Sequence, residues 1–539
     1  MERRRVRLAV PVVLGLVAAL LLPAGGWGGP RSELVVVSGM WSPPNNFNPI
    51  NTDSWYGLYP IRFIFLRMLE ARIDGGQLKF FPALASRWEA AADNQTFTFT
   101  MHPRAAWHDG KPVTADDVLF TLNTISDPRT ETNRSTEIAT IVGTDARGKR
   151  AAGAQLGVRA LDTRRVEIKT KVPVDPNLFF EQFGTGVPML PRHVLGDVPP
   201  DQLNRHPFMM APTVGNGPFK FVQYKTDQFI ELLANETFHL GAPKYRRLFI
   251  RIIPPAVMLA QIERGELDLS AGLGIGEVLI EDWDRVKQMP HVRAVSFAAP
   301  AYQYMLYNFQ RPYLQDKRVR RAIAHAVNRP LIINQLLRGE AELVEGPIVP
   351  ASPYLNKNVK PWPYDPARAR ALLQEAGWDF SRTLVLRVPT GNVIRERSGD
   401  IIRENLVAVG MRVEIQKSDF PTHIAALRGA NYDLALVGWG GNLDPDVSSQ
   451  FRTGAVYNFT HHSIPQLDQL LDEGKATADP ARRRQIYFRF QEVFADELPI
   501  LVLYYPNART VVAKRMSNVL PNTSGIYDFQ PYIWIASVQ

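Results

Sequence analysis

The stretch TLVLRVPTGNVIRERSGDIIRENLVAVGMRVEIQKSDFPTHIAALRGANYDLALVGWG, residues 383–440, decides the fold class. It opens on an apolar, β-branched run at 384–388 that predicts a strand. A helical pattern follows at about 400–409, closed by Gly410, a residue suited to the left-handed position after a helix. A strand at 412–416, a helix at about 421–428 closed by Gly429, and a strand at 433–437 complete a β-α-β-α-β succession. Such a succession implies a parallel sheet covered by helices. A second one lies earlier, with a strand at 248–253, a helix at 256–264 and a strand at 267–269, so two α/β lobes are expected. Residues 76–169 read differently. Alternation at 96–100 and 166–169, around a helix opened by Thr114-Ala115-Asp116-Asp117 and a polar stretch at 126–153, predicts an inserted α+β unit. Asp365-Pro366 and Asp479-Pro480 each start a helix, with an acid at the N-cap and Pro at the first helical position.

With 539 residues, 45% hydrophobic and 21% charged, the chain can build about three packed units, which excludes a disordered or fibrous protein. It contains no Cys, which excludes disulfides, thiolate metal sites and Cys nucleophiles. Residues 1–29 read as a secretory signal peptide: Arg3, Arg4, Arg5 and Arg7, an apolar run at 8–22, then small residues. An uncleaved N-terminal anchor is the other reading of that segment, and no later segment predicts a membrane span. Removing residues 1–29 takes away four Arg and one Glu and leaves +6 of the formal +9. The dense basic clusters, 317–321 and 482–484, fall inside amphipathic helical patterns, so they read as solvated helix faces rather than a nucleic-acid surface.

Catalytic spacing is absent. The chain has no G-x-S-x-G, H-E-x-x-H, Walker A or C-x-x-C motif. Gly272-Leu273-Gly274-Ile275-Gly276 is G-x-G-x-G and reads as a loop between elements. His461-His462 would point to opposite faces of a strand, and His102 and His108 lack an acidic partner set, so no metal and no cofactor are expected. Asp116-Asp117 reads as helix-start chemistry.

Open α/β sheets bind ligands beyond the carboxyl ends of their strands, and the strand at 433–437 runs straight into Gly438-Trp439-Gly440-Gly441-Asn442-Leu443-Asp444-Pro445-Asp446. Glycines there allow close approach, Trp439 offers a flat wall, and Asn442 and Asp444 supply polar ends. A turn around a core Trp is the structural alternative. Met40, Trp41 and Asn46, after the first mature strand at 34–37, are further candidates, as are Tyr302, Tyr304, Tyr504 and Tyr505 at the edges of the second lobe.

Four segments carry a family resemblance: WHDGKPVTADDVLFTL at 107–122, GNGPFKFVQYKTDQFIELLANETFHLGAP at 215–243, YNFQRPYLQDKRVRRAIAHAVNRPLII at 307–333 and YDLALVGWGGNLDPD at 432–446. In these the chain resembles the extracytoplasmic solute-binding proteins of ABC importers, family 5, the peptide and nickel group. The resemblance implies a two-lobe, type II-like periplasmic-binding-protein fold of the α/β class. A discontinuous lobe 1 (30–75, 170–298 and 505–539) would carry an extra α+β domain (76–169), with lobe 2 at 300–504. It implies a monomeric, non-enzymatic receptor that captures a small solute, peptides above all, and hands it to a membrane permease and through it to the ATPase subunits. The compartment would be the periplasm, and without Cys the chain is not a lipoprotein. Peptide-binding relatives commonly carry an acid three positions after the loop Trp, to pair with the ligand's α-ammonium; here that position is Asn442. Either Asp444 takes over or the ligand's end is not cationic, which keeps a neutral oligosaccharide as an alternative solute. A secreted α/β hydrolase is the non-transport alternative, and nickel is the least supported solute.

Overall fold

Strand Ile500–Ala513 is the longest among the described residues, and its two ends pair with different neighbours. At one end, 507–513 runs antiparallel to Val292–Ala298; at the other, 500–504 runs antiparallel to Ala301–Tyr307. The computed structural model describes residues 35–519 and 536–538, apart from 53, 75–76 and 272–274. The signal-peptide reading and Gly272 to Gly274 lie outside these described residues.

Around Ile500–Ala513 the main sheet holds twelve strands among the described residues. On one side lie Ala301–Tyr307, Leu434–Gly440, Thr383–Pro389 and, at the edge, Arg412–Ser418. On the other lie Leu269–Ser270, Val35–Met40, Arg247–Ile252, Phe229–Ala234 and Phe219–Lys225. Thr383–Pro389 is parallel to both Arg412–Ser418 and Leu434–Gly440, and Val35–Met40 is parallel to both Arg247–Ile252 and Leu269–Ser270. Both expected β-α-β successions are therefore present. A separate four-stranded antiparallel sheet, Ala85–Ala90, Thr96–Met101, Arg165–Lys169 and Val158–Ala160, packs beside helix Ala115–Ser126. Its buried Phe97, Phe99 and Ile168 join one apolar cluster with Val36, Phe63 and Leu248. Two further clusters cover opposite faces of the 301–307/434–440 sheet, one around Met305, Leu386 and Leu434 and the other around Tyr302, Val437 and Phe490.

Local chemistry sets the helix ends. Asp365 and Asp479 each accept from the backbone N–H three residues on, and Thr114 and Asp117 form a capping box. Two readings are corrected. The helix expected at 400–409 begins seven residues earlier, as Val393–Ala408, because Asn392 caps it by accepting from Arg395 N. Gly399 does not break it: a Cβ there would come within 2.9 Å of Val388 Cγ2, so the glycine lets the helix lie close on the sheet. The basic clusters are also not wholly solvated. Arg320 is 1% exposed and donates to the Leu314, Gln315 and Glu497 carbonyls, and Arg483 is 0% exposed.

Candidate functional site

Strand Leu434–Gly440 pairs with Ala301–Tyr307 in antiparallel register, which sets Trp439 opposite Tyr302 and Gly438 opposite Gln303. Beyond the strand, Gly441 N donates to Pro300 O at 2.6 Å, so the loop is tied to the linker between Ala298 and Ala301. Gly441 has no room for a side chain, since a Cβ would lie 2.4 Å from Val349 Cγ1.

Trp439 is half-buried, edge-on to Tyr457 with ring centroids 4.8 Å apart, while Gly440 and Asn442 are exposed. Trp439, Gly440, Asn442 and Asp444 line one pocket with Tyr302, Ile348 and Gln450. Its space for water-sized groups is ≈ 50 Å³. A volume that small admits one or two waters or a small side chain.

The other expected residues are placed elsewhere. Met40 is fully buried in the core shared with the four-stranded sheet, because its strand is covered on both faces. Trp41 packs partly against the cluster of Met258, Ile262 and Trp283, and its buried indole Nε1 has no hydrogen-bond partner among the described residues. Asn46 Oδ1 accepts from Asn48 N at 2.9 Å, closing an Asx turn. None of these three lines the Trp439 pocket. Tyr304, Tyr504 and Tyr505 are core side chains. Tyr505 Oη donates to Gly346 O at 2.7 Å, and burial pushes the Tyr504 hydroxyl up to about 12. Tyr302 is also buried, yet its edge reaches the pocket and its Oη donates to Gln450 Oε1 at 3.1 Å. Asp444 does not face a ligand as a free carboxylate. Both its oxygens accept from Arg483, at 2.6 and 2.9 Å.

Two groups escaped the sequence reading. Glu181 reaches the loop, its carboxylate accepting Leu443 N at 3.0 Å and Asp444 N at 2.8 Å. The signal was an acid inside the aromatic run Phe179-Phe180-Glu181-Gln182-Phe183. Arg395 lies on the other face of strand Leu434–Gly440, its Nε donating to Gln303 Oε1 at 2.9 Å. It meets no described carboxylate within ion-pair distance, and burial lowers its pKa.

The adjacent histidines both bond backbone carbonyls. His461 sits in a turn at φ +56°, not on a strand, and its Nε2 bonds Leu427 O. His462 Nε2 bonds Phe451 O. Among the described residues no group of three or more His, Asp or Glu could hold a metal ion. Nor is any described helix long and apolar enough to cross a membrane.

Comparison with known proteins adds to this geometry. The chain is 24% identical over 542 residues to the oligopeptide-binding protein AppA of Bacillus subtilis (strain 168), covering 94% of each chain. It is 24% identical over 514 residues to the dipeptide-binding protein of Escherichia coli (strain K12), covering 90% of this chain and 92% of that one. The solved structure of Bacillus subtilis AppA with a nonapeptide matches the fold with a TM-score of 0.77, at 22% identity over 94% of this chain and 99% of that one. Residues 79–458 match the family described as bacterial extracellular solute-binding proteins, family 5 Middle. The chain belongs to the family 5 bacterial extracellular solute-binding proteins.

Proposed function

We propose that this protein is the solute-binding component of an ABC importer, capturing peptides between two lobes and delivering them to a membrane permease and its ATPase subunits. The observation that carries the reading is near-full-length similarity to proteins named for oligopeptide and dipeptide binding. The lobes are 30–75 with 170–298 and 505–539, and 300–504; the extra domain is 76–169. In support, the main sheet changes partners between Ala298 and Ala301 and between Tyr504 and Asn507, two crossings that suit a hinge. Ligand contacts from both lobes exist only in the closed form, so binding shifts the open–closed equilibrium. The receptor acts as a monomer without catalysis, in the periplasm, either free or held by an uncleaved N-terminal helix. With no Cys it carries no thioether lipid.

Trp439, Gly440 and Asn442 form the ligand wall, with Tyr302 at its edge. Arg395 favours peptides over neutral sugars: a half-buried guanidinium with no described carboxylate within ion-pair distance suits a ligand carboxylate. Calorimetry with peptides of two to nine residues, the same peptides amidated at the C-terminus, and maltooligosaccharides tests this. The expected order is free peptide tightest, amidated peptide weaker by about ten- to a hundredfold, an ionic hydrogen bond being worth about 1.5–3 kcal/mol, and no sugar binding. Sugar binding without peptide binding overturns the reading.

A further inference from the structure

Residues 175–184 carry two carboxyl groups that meet a distant part of the chain. Asp175 Oδ1 accepts from Leu178 N at 3.0 Å, while its Oδ2 is buried with no partner among the described residues and Arg483 Nη1 stands 3.8 Å from Oδ1. Glu181, 8% exposed, holds the Leu443 and Asp444 N–H groups. Arg483 holds Asp444, donates from Nε to Gly474 O at 2.9 Å, and lies 5.2 Å from the ring centres of both Tyr354 and Tyr487. Three buried carboxyl groups thus gather about one guanidinium, and none of them meets a second described cation within ion-pair distance. Among the described residues, the other elements packed on the Phe180–Gly184 turn bring no cation within ion-pair distance of the three carboxyl groups. Strand Leu69–Asp74 brings Glu70, beside Arg62 and Arg67, and turn Ser135–Ile138 brings Glu137, paired with Arg134.

Burial and the Asp444 charge push Glu181 up to about 8, and burial raises Asp175. Three negative charges against one positive are not sustained out of water when a proton is available. A neutral Glu181 keeps its carbonyl oxygen as acceptor for one of the two N–H groups.

We propose that closing the lobes over the Trp439 loop takes up a proton at the cluster of Asp175, Glu181, Asp444 and Arg483, with Glu181 the positioning residue that clamps the loop. The inference rests on the two-lobe reading, which puts Asp175 and Glu181 on lobe 1 and Asp444 and Arg483 on lobe 2. When the lobes part, Asp444 keeps Arg483, and Asp175 and Glu181 return to water as ordinary carboxylates. The closed form therefore binds more protons than the open form from about pH 4.5 to about 8. The closed-to-open ratio falls as pH rises through that window, by up to about tenfold per unit for one proton.

The test measures energy transfer between dyes on Val222→Cys and Val407→Cys, exposed positions on the two lobes of a chain that otherwise has no Cys. Between pH 6 and 8, without added peptide, the wild-type closed fraction is expected to fall. Glu181→Gln should flatten that dependence, and Asp175→Asn should move its midpoint to lower pH. A pool of synthetic peptides of two to nine residues should close all three proteins. An unchanged slope in Glu181→Gln, or an unchanged midpoint in Asp175→Asn should the first variant fail to fold by circular dichroism, overturns the proton-coupled clamp while leaving the two-lobe reading intact. No change in transfer with the peptide pool at any pH overturns the two-lobe reading itself, and the clamp with it.

Discussion

Asp444 and Arg483 form a two-pronged ion pair, Oδ2 to Nη1 at 2.6 Å and Oδ1 to Nη2 at 2.9 Å, with both side chains buried. The pair commits the Asp444 charge to the chain's own interior, so it does not replace the acid missing at Asn442. Asp444→Asn leaves the guanidinium with Asp175 at 3.8 Å as its nearest described acid. It is expected to lower stability by about 3–5 kcal/mol, as breaking a buried pair does. Guanidinium chloride unfolding of the two proteins measures the difference, and a change below 1 kcal/mol would contradict the pairing.

Trp439→Ala removes a half-buried ring that packs on Tyr457 but belongs to no fully buried layer. Peptide affinity should fall by about tenfold or more, the contribution of an aromatic contact being about 1 kcal/mol beyond its buried area. The melting transition should shift by only a few degrees. Wild-type affinity in this variant would remove the loop from the ligand wall.

Asn442→Asp restores a carboxylate at an exposed position three residues after Trp439. Affinity for peptides with a free N-terminal ammonium is expected to rise several-fold, an exposed ion pair being worth up to about 1 kcal/mol. N-acetylated peptides should show no gain. An equal gain for both would mean that the ligand's amino end lies elsewhere.

Acid should destabilise the fold through its histidines. His108, His239 and His423 are each pushed down to about 4, burial being the largest cause. His108 Nδ1 accepts from Gly215 N at 3.1 Å, a bond that protonation would break. The unfolded chain thus binds more protons than the native one between about pH 4 and 6.5, so this contribution to stability is present above 6.5 and lost as pH falls. Glu181 contributes with the opposite sign, its native pKa lying above the unfolded one. Urea midpoints at pH 5 and pH 7 should differ, with pH 7 the more stable. His239→Gln should narrow the gap.

The periodic parts of the chain were legible before the structure. The β-α-β-α-β run of 383–440 needs only alternation, apolar stripes and end signals, and its three strands are parallel as expected. Helix Val393–Ala408 starts seven residues before the expected 400–409, and Gly399 inside it serves close packing on Val388. Trp439 and Gly440 close strand Leu434–Gly440 and Asn442 follows it, so the strand-end rule was enough to single out this segment as a candidate. The tyrosines were not: Tyr304, Tyr504 and Tyr505 have the amphipathic chemistry of a cleft, and only the fold shows them as core. Arg483 lay in a basic run that looks solvated, and nothing local shows that Asp444, 39 residues away in sequence, neutralises it. Glu181 and the loop it holds are 262 residues apart, a pairing that periodicity does not encode.

The most direct measurement is mass spectrometry of the small molecules released when freshly purified protein is denatured. Peptides, in about one equivalent per chain and lost in Trp439→Ala, are the predicted result. A single oligosaccharide, or intact cleavage products from turnover of added peptides, would contradict the account of a peptide receptor.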